Sequence, residues 1–170
     1  MKLVHAYHDA ALPIGFDKTI SQPFMVAVMT DLLEPRQDDI VLEVGTGLGY
    51  QAAVLGQLVR RVWSVEIIEE LAVEATARLR RLGYDNIGIH IGDGSLGWPE
   101  HAPYDKIIVS AAAKLVPPAL LEQLKPGGRM VLPTGLAEDQ KLTLVEKDVA
   151  GRARIRELLS VRFGLLETVR

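Results

Sequence analysis

The sequence predicts an α/β fold built on a doubly wound, mostly parallel sheet of about seven strands, with helices on both faces. Two observations carry this expectation. Short runs rich in β-branched residues alternate with longer segments of 3.6-residue apolar periodicity, the pattern of strand–helix–strand units. A glycine-rich turn, "EVGTGLGY", joins the first such strand to the helix after it, which gives the fold a Rossmann-like character. At 170 residues the chain is long enough to bury one sizeable core, and no linker or repeat divides it, so a single domain over 1–170 is expected.

The elements follow in order. "PIGFDKTISQP" (13–23) is a polar turn punctuated by Pro13 and Gly15. Pro23 then opens a helix through "FMVAVMTDLLEP". "IVLEVG" (40–45) is a buried strand, "YQAAVLGQLV" (50–59) a helix and "RVWSVE" (61–66) the next strand. In "IIEELAVEATARLRRLG" (67–83) Leu71, Ala75, Leu79 and Leu82 share a helical face, and Gly83 is the stop. "NIGIHIGD" (86–93) and "YDKIIVSAA" (104–112) are strands. "PPALLEQLKPGG" (117–128) is a helix opened by proline and closed by Pro-Gly-Gly, leading into "RMVLPTG". The remainder gives two further strands joined by a turn at Ala150-Gly151.

The bulk composition excludes several function classes. Hydrophobic residues make up 48% and charged residues 24%, as in ordinary soluble globular proteins. A net charge of -3 argues against a nucleic-acid partner, which would be met by a basic stripe. The chain has no cysteine, so disulfides, thiolate zinc sites and cysteine nucleophiles are all excluded. His5 and His8 are three apart but have no acid cluster beside them, and His90 and His101 have no evident partner, so no metal is expected. No basic leader with a long apolar core opens the sequence, and no apolar run is long enough to span a bilayer. The expectation is a cytoplasmic protein without a membrane partner.

The chemistry concentrates at three strand ends. Glycines at 45, 47 and 49 let a backbone turn tightly and let a ligand approach closely. A dinucleotide fingerprint would place its last glycine at position 50, which is Tyr50, so the nicotinamide or flavin pattern does not match. G-x-G-x-G with Glu43 two residues ahead is instead the pattern of S-adenosylmethionine-dependent methyltransferases, although a tight strand-to-helix turn would use the same glycines. Glu66 ends the second strand, where an acid can accept both hydroxyls of a ribose. A surface carboxylate beside a helix start is the alternative. Asp93-Gly94 ends the third strand, where ligands of open α/β sheets are met. Together the three ends describe a nucleoside-type cofactor site.

"PIGFDKTISQP", "VLEVGTGLGYQAAVL", "GDGSLGWPEHAPYDKIIVSAAA" and "PPALLEQLKPGGRMVLPTG" together resemble the protein-L-isoaspartate O-methyltransferase family, from about Ala6 to about Phe163. The resemblance implies a class I methyltransferase fold. It also implies methyl transfer from S-adenosylmethionine, leaving S-adenosylhomocysteine, to the side-chain carboxylate of L-isoaspartyl residues in damaged proteins and peptides. The ester then closes to a succinimide and reopens partly as normal aspartate. Motif by motif, Ser21 falls at the family's active-site serine, with Thr19 and Ile20 on the same loop. Glu43, Gly45, Thr46 and Gly47 fall in the cofactor loop, Glu66 at the ribose acid, and Asp93 with Gly94 on the adenine side. Val109, Ser110 and Ala111 fall on the strand whose end faces the substrate.

The implied chemistry is physically reasonable. An isoaspartyl carboxylate titrates near ~4 and is already an anion at neutral pH, so the site needs positioning rather than a general base. A neutral hydroxyl such as Ser21 can donate a hydrogen bond to that carboxylate, and can also cap the helix that Pro23 begins. Lys18 reads as a solvated lysine. The family usually carries a helical segment ahead of Ala6-Tyr7, Gly and Gln where this chain has Asp17 and Lys18, and Phe-Val-Pro-Leu where it has Phe163-Gly164-Leu165-Leu166. Two other readings compete: a homologue methylating a small carboxylate, and a non-catalytic cofactor-binding homologue. A monomer is expected.

Overall fold

The computed structural model describes residues 9–136 and 138–169. A hairpin of β1 (Leu12–Gly15) and β2 (Lys18–Ile20) precedes α1 (Pro23–Leu33). Then come β3 (Ile40–Val44), α2 (Tyr50–Gly56), β4 (Arg61–Glu66), α3 (Glu69–Arg81), β5 (Ile87–Ile91) and β6 (Tyr104–Val109). The chain closes with α4 (Pro118–Gln123), β7 (Leu124–Leu136), β8 (Asp139–Lys147) and β9 (Ala153–Val161).

The main sheet has seven strands in the order β5-β4-β3-β6-β7-β8-β9. The β3–β4, β3–β6, β4–β5 and β6–β7 pairs are parallel, and β8 and β9 add antiparallel. The strand order reverses between β3 and β6, which puts a crevice at their carboxyl ends. The sequence expectation of a seven-stranded, mostly parallel sheet holds.

Two cores lie on opposite faces of this sheet. On one, Met29 and Leu33 of α1, Ala52 and Leu55 of α2 and Leu79 of α3 pack against Val41, Val62, Ile108 and Val131. On the other, Leu120 packs with Leu42, Val44, Val65, Val109 and Met130. Strand side chains alternate, so consecutive residues of β3 and β4 go to different cores. Each fully buried aliphatic side chain contributes on the order of 2 kcal/mol. Trp63 and Trp98 extend the second core, with His101 stacked on Trp63 at a centroid distance of 3.5 Å.

Three local expectations are corrected. Leu82 is 61% exposed, because α3 stops at Arg81 and its buried stripe is Leu71, Ala72, Ala75 and Leu79. The helix expected over 117–128 ends at Gln123, and Leu124 is already extended. Pro126 disfavours helical geometry at Lys125, so the chain leaves the helix early and enters β7. The helix expected over 50–59 closes at Gly56.

Candidate functional site

The crevice at the carboxyl ends of β3, β4 and β6 holds a cavity of about 640 Å³. Its walls come from the β1–β2 hairpin, the glycine loop, the end of β4, the residues after β6 and the segment after β9. Of the site residues expected from sequence, Thr19, Ile20, Ser21, Gly45, Thr46, Gly47, Glu66, Gly94, Ser110 and Ala111 line it together.

The hairpin aims Ser21. Phe16 and Asp17 take positive φ (53° and 55°) at its tip, so β2 runs back toward α1. The sequence predicts only a polar turn here, because strands of four and three residues show no alternation. Ser21 is half-buried in the cavity wall. The helix N-cap is Gln22, with no side-chain cap, so capping by Ser21 is corrected. Pro23 occupies the first helical position and holds the residue before it extended (Gln22, φ -62°, ψ 146°), which moves the cap one residue past Ser21.

The glycine loop is tied down by an acid. Glu66 Oε2 accepts the Gly47 N–H at 2.8 Å and Oε1 accepts the Ile68 N–H at 3.0 Å. Each carboxylate oxygen keeps a further acceptor site for a hydroxyl. Gly49 caps α2 with φ 84°, and a Cβ there would come within 3.1 Å of Leu79. At Gly94 a Cβ would meet Val44 Cγ1 at 2.3 Å. Glycine lets the loop pack closely on α3 at Gly49 and lets the Gly94 backbone lie against Val44 at the cavity wall.

Three expected site residues stand elsewhere. Glu43 is fully buried behind the glycine loop. The alternation of β3 points it into the α2-covered face, where Ser64 and Ile108 are its partners in register. Ser64 Oγ donates to Glu43 Oε2 at 2.5 Å and sits 2.5 Å from Thr46 Oγ1, a residue of the cavity wall. Glu43 Oε1 has no hydrogen-bond partner. Burial, with the negative charge of Glu66 adding to it, pushes the Glu43 carboxyl up to about 8, against the hydrogen bond from Ser64. Val109 is corrected for the same geometric reason: it points into the opposite core, and Ser110 and Ala111 after it reach the cavity.

Asp93 does not line the cavity. Its Oδ1 accepts from Ser95 N–H (2.9 Å) and Ser95 Oγ (2.6 Å), capping the short turn Gly94–Leu96. Its Oδ2 accepts the Val169 N–H at 2.9 Å. Partial burial alone would raise its pKa, but these bonds together outweigh that and hold it below the usual carboxylate range.

That Val169 contact ends a strap the sequence did not announce. After β9, Gln140 clamps the Phe163 backbone from both sides, at 2.7 and 3.0 Å. Ala112 then donates to Gly164 O and accepts from Leu166 N–H, both at 2.8 Å. Phe163, Leu165 and Glu167 form part of the cavity wall, and Lys18 pairs with Glu167 rather than standing solvated. The strap has no apolar period, so only the long-range partners reveal it. Among the described residues no cluster of three His, Asp or Glu could hold a metal; His5 and His8 lie outside them. No helix there is long and apolar enough to cross a membrane.

A parallel sheet reversing at β3/β6, a glycine loop and a buried acid at the end of the next strand define a class I methyltransferase fold with a nucleoside-type cofactor crevice. The family profile described as protein-L-isoaspartate(D-aspartate) O-methyltransferase matches residues 1–168, and the chain belongs to that family. It is 63% identical over 163 residues to protein-L-isoaspartate O-methyltransferase 1 of a Polaromonas species, covering 96% of this chain and 69% of that one. It is 59% identical over 160 residues to protein-L-isoaspartate O-methyltransferase 2 of Syntrophobacter fumaroxidans, covering 94% and 65%. A solved protein-L-isoaspartate O-methyltransferase superposes with a TM-score of 0.89 at 31% identity, over 97% of this chain and 55% of the other. The same fold recurs, at a TM-score of 0.82 and 23% identity, in a Plasmodium falciparum protein solved with S-adenosyl-L-homocysteine, over 99% of this chain and 84% of that one. The chain thus spans 69% and 65% of the two curated relatives and 55% of the first solved one.

Proposed function

We propose that this chain transfers a methyl group from S-adenosylmethionine to the side-chain carboxylate of L-isoaspartyl residues in damaged proteins, the first step of their repair through a succinimide. The observation that carries the reading is the meeting of two kinds of wall in one cavity. The glycine loop with Glu66 faces Ser21 of the hairpin and Ser110-Ala111 after β6.

The residues present fit the cofactor. Glu66 is buried at the cavity edge with acceptor sites left for two ribose hydroxyls, and Gly94 leaves the floor open where any side chain would collide with Val44. A cavity of about 640 Å³ suits a nucleoside-sized ligand together with one substrate side chain. When bound, S-adenosylmethionine supplies a methyl group on a positively charged sulfur. Gly45, Thr46 and Gly47 are the loop against which it would lie, with Thr19 and Ile20 opposite. Asp93 serves the same site indirectly, by fixing Gly94 and the strap.

The chain's own task is positioning. Ser21 donates a hydrogen bond to one oxygen of the substrate carboxylate and leaves the other free to attack. Ser110 and Ala111, small residues after β6, leave room for the peptide. The carboxylate is already ionised at neutral pH, so no residue has to remove a proton. A monomer in the cytoplasm is the matching assembly and location. The exposed edge strand β9 carries Arg154, Arg156 and Glu157 that discourage edge pairing, and the cofactor is an intracellular metabolite.

The test is methyl transfer from labelled S-adenosylmethionine to an isoaspartyl peptide and to its aspartyl twin. Label on the isoaspartyl peptide alone is expected. Equal labelling of both overturns the repair reading. Labelling of neither, with cofactor bound, favours a small-carboxylate substrate or a binding protein.

A further inference from the structure

We propose that the buried chain Glu43–Ser64–Thr46 couples cofactor charge to a proton: Glu43 releases its proton to solvent when the sulfonium cofactor fills the cavity, and takes one up when the neutral thioether product replaces it. The inference rests on the cofactor reading above and goes beyond it by giving Glu43 a role without direct contact.

Three observations support it. Glu43 is fully buried yet lies under the glycine loop, one hydrogen-bonded hydroxyl away from Thr46 of the cavity wall. Its Oε1 has no partner, so the protein by itself does not fully compensate the ionised form. Among the described residues nothing cationic faces it from the elements packed against it. β4 offers Ser64 and the like-charged Glu66, α2 offers the Ala52 amide without a closed hydrogen bond, and β6 offers Ile108. A carboxyl so placed is mostly protonated at pH 7, in line with its upward shift.

The hydroxyl chain can run in either direction. With Glu43 protonated, its O–H can donate to Ser64 Oγ and Ser64 to Thr46 Oγ1. With Glu43 ionised, Ser64 must donate to the carboxylate, and Thr46 then donates to Ser64. Ionisation therefore turns all the dipoles of the chain at once, with their positive hydrogen ends toward the carboxylate and their oxygen ends toward the cavity. A unit positive charge held within ~8 Å at an effective dielectric constant of about 20 shifts such an equilibrium roughly 30-fold toward the ionised form. The thioether carries no such charge. Reprotonation of Glu43 in the product complex thus removes an attraction that the incoming cofactor enjoys, which favours exchange of product for cofactor. Ser64 is the positioning residue of this device.

The test is calorimetry at pH 7 of S-adenosylmethionine and S-adenosylhomocysteine binding, each in buffers of different ionisation enthalpy, on the wild type and Glu43→Gln. The carboxamide introduced by E43Q is as neutral as the protonated acid, so the comparison cancels titration of the ligand's own groups. On binding S-adenosylmethionine, wild type is expected to release roughly half to one proton more than the variant, with no such difference for S-adenosylhomocysteine. Ser64→Ala is expected to cut the preference for cofactor over product by about tenfold. Equal proton counts in wild type and E43Q overturn the coupling alone; failure of either ligand to bind wild type overturns the cofactor reading itself. If E43Q does not fold, infrared difference spectra of wild type decide. A protonated-carboxyl band lost with S-adenosylmethionine and kept with S-adenosylhomocysteine supports the proposal, and a band unchanged by both overturns it.

Discussion

Ser21 and Glu43 show how little residue identity says until backbone geometry is known. Both were legible as candidates, yet Ser21 stands in the cavity wall and Glu43 behind it. The difference lies in one period: β3 alternates, so an acid two residues ahead of the first loop glycine points away from the crevice. Ser21→Ala should lower methyl transfer on the order of 10²-fold while leaving cofactor affinity within about threefold, since it removes one oriented donor to the substrate. Equal loss of both would make Ser21 a cofactor contact. Glu43 carries a pH signature. Its carboxyl is held near 8 in the folded protein and near 4.5 when unfolded, so the folded state binds the extra proton between those values. Stability from this group is therefore full below about pH 4.5 and is lost as pH rises toward 8, by an amount on the order of a few kcal/mol. Thermal melts of the unliganded protein should show that decline in wild type and a flatter profile in E43Q.

At the scale of elements, legibility followed local apolar pattern. The central strands were readable as short apolar runs rich in β-branched residues, and α3 because its apolar residues recur at 3.6 residues. The β1–β2 hairpin was not, since strands of four and three residues with Pro13 among them give no alternation to count. The strap was not either, because its order comes from Gln140, Ala112 and Asp93, each far away in sequence. These elements make different predictions. Gln140→Ala should loosen the strap and raise the KM for cofactor severalfold, because Gln140 is buried and holds Phe163 by two bonds. Lys18→Met should do much less, since the Lys18–Glu167 pair is partly exposed and such pairs give about 0–1 kcal/mol. Michaelis constants for both variants check this ranking, and a larger effect from Lys18 would reverse it. Gly94→Ala should destabilise by about 1–3 kcal/mol, as its methyl would collide with Val44.

For the molecule as a whole, the cavity is where parts distant in the chain meet: hairpin, glycine loop, β4 end, β6 end and strap. A ligand that touches all of them binds only the folded chain, so saturating cofactor should raise the melting temperature. At 100 times its Kd the gain is about 2.7 kcal/mol, or roughly 5–10 °C for a domain of this size. Thermal shift with the cofactor product gives the same readout without turnover. The substrate wall is read out by one ratio: kcat/KM for an isoaspartyl peptide over its aspartyl twin. A site that positions only the isoaspartyl carboxylate against the methyl group should give a ratio of about 10² or more. A ratio near one would mean that Ser21 and the cavity do not select the carboxylate they are proposed to hold, and would overturn the assignment of the substrate.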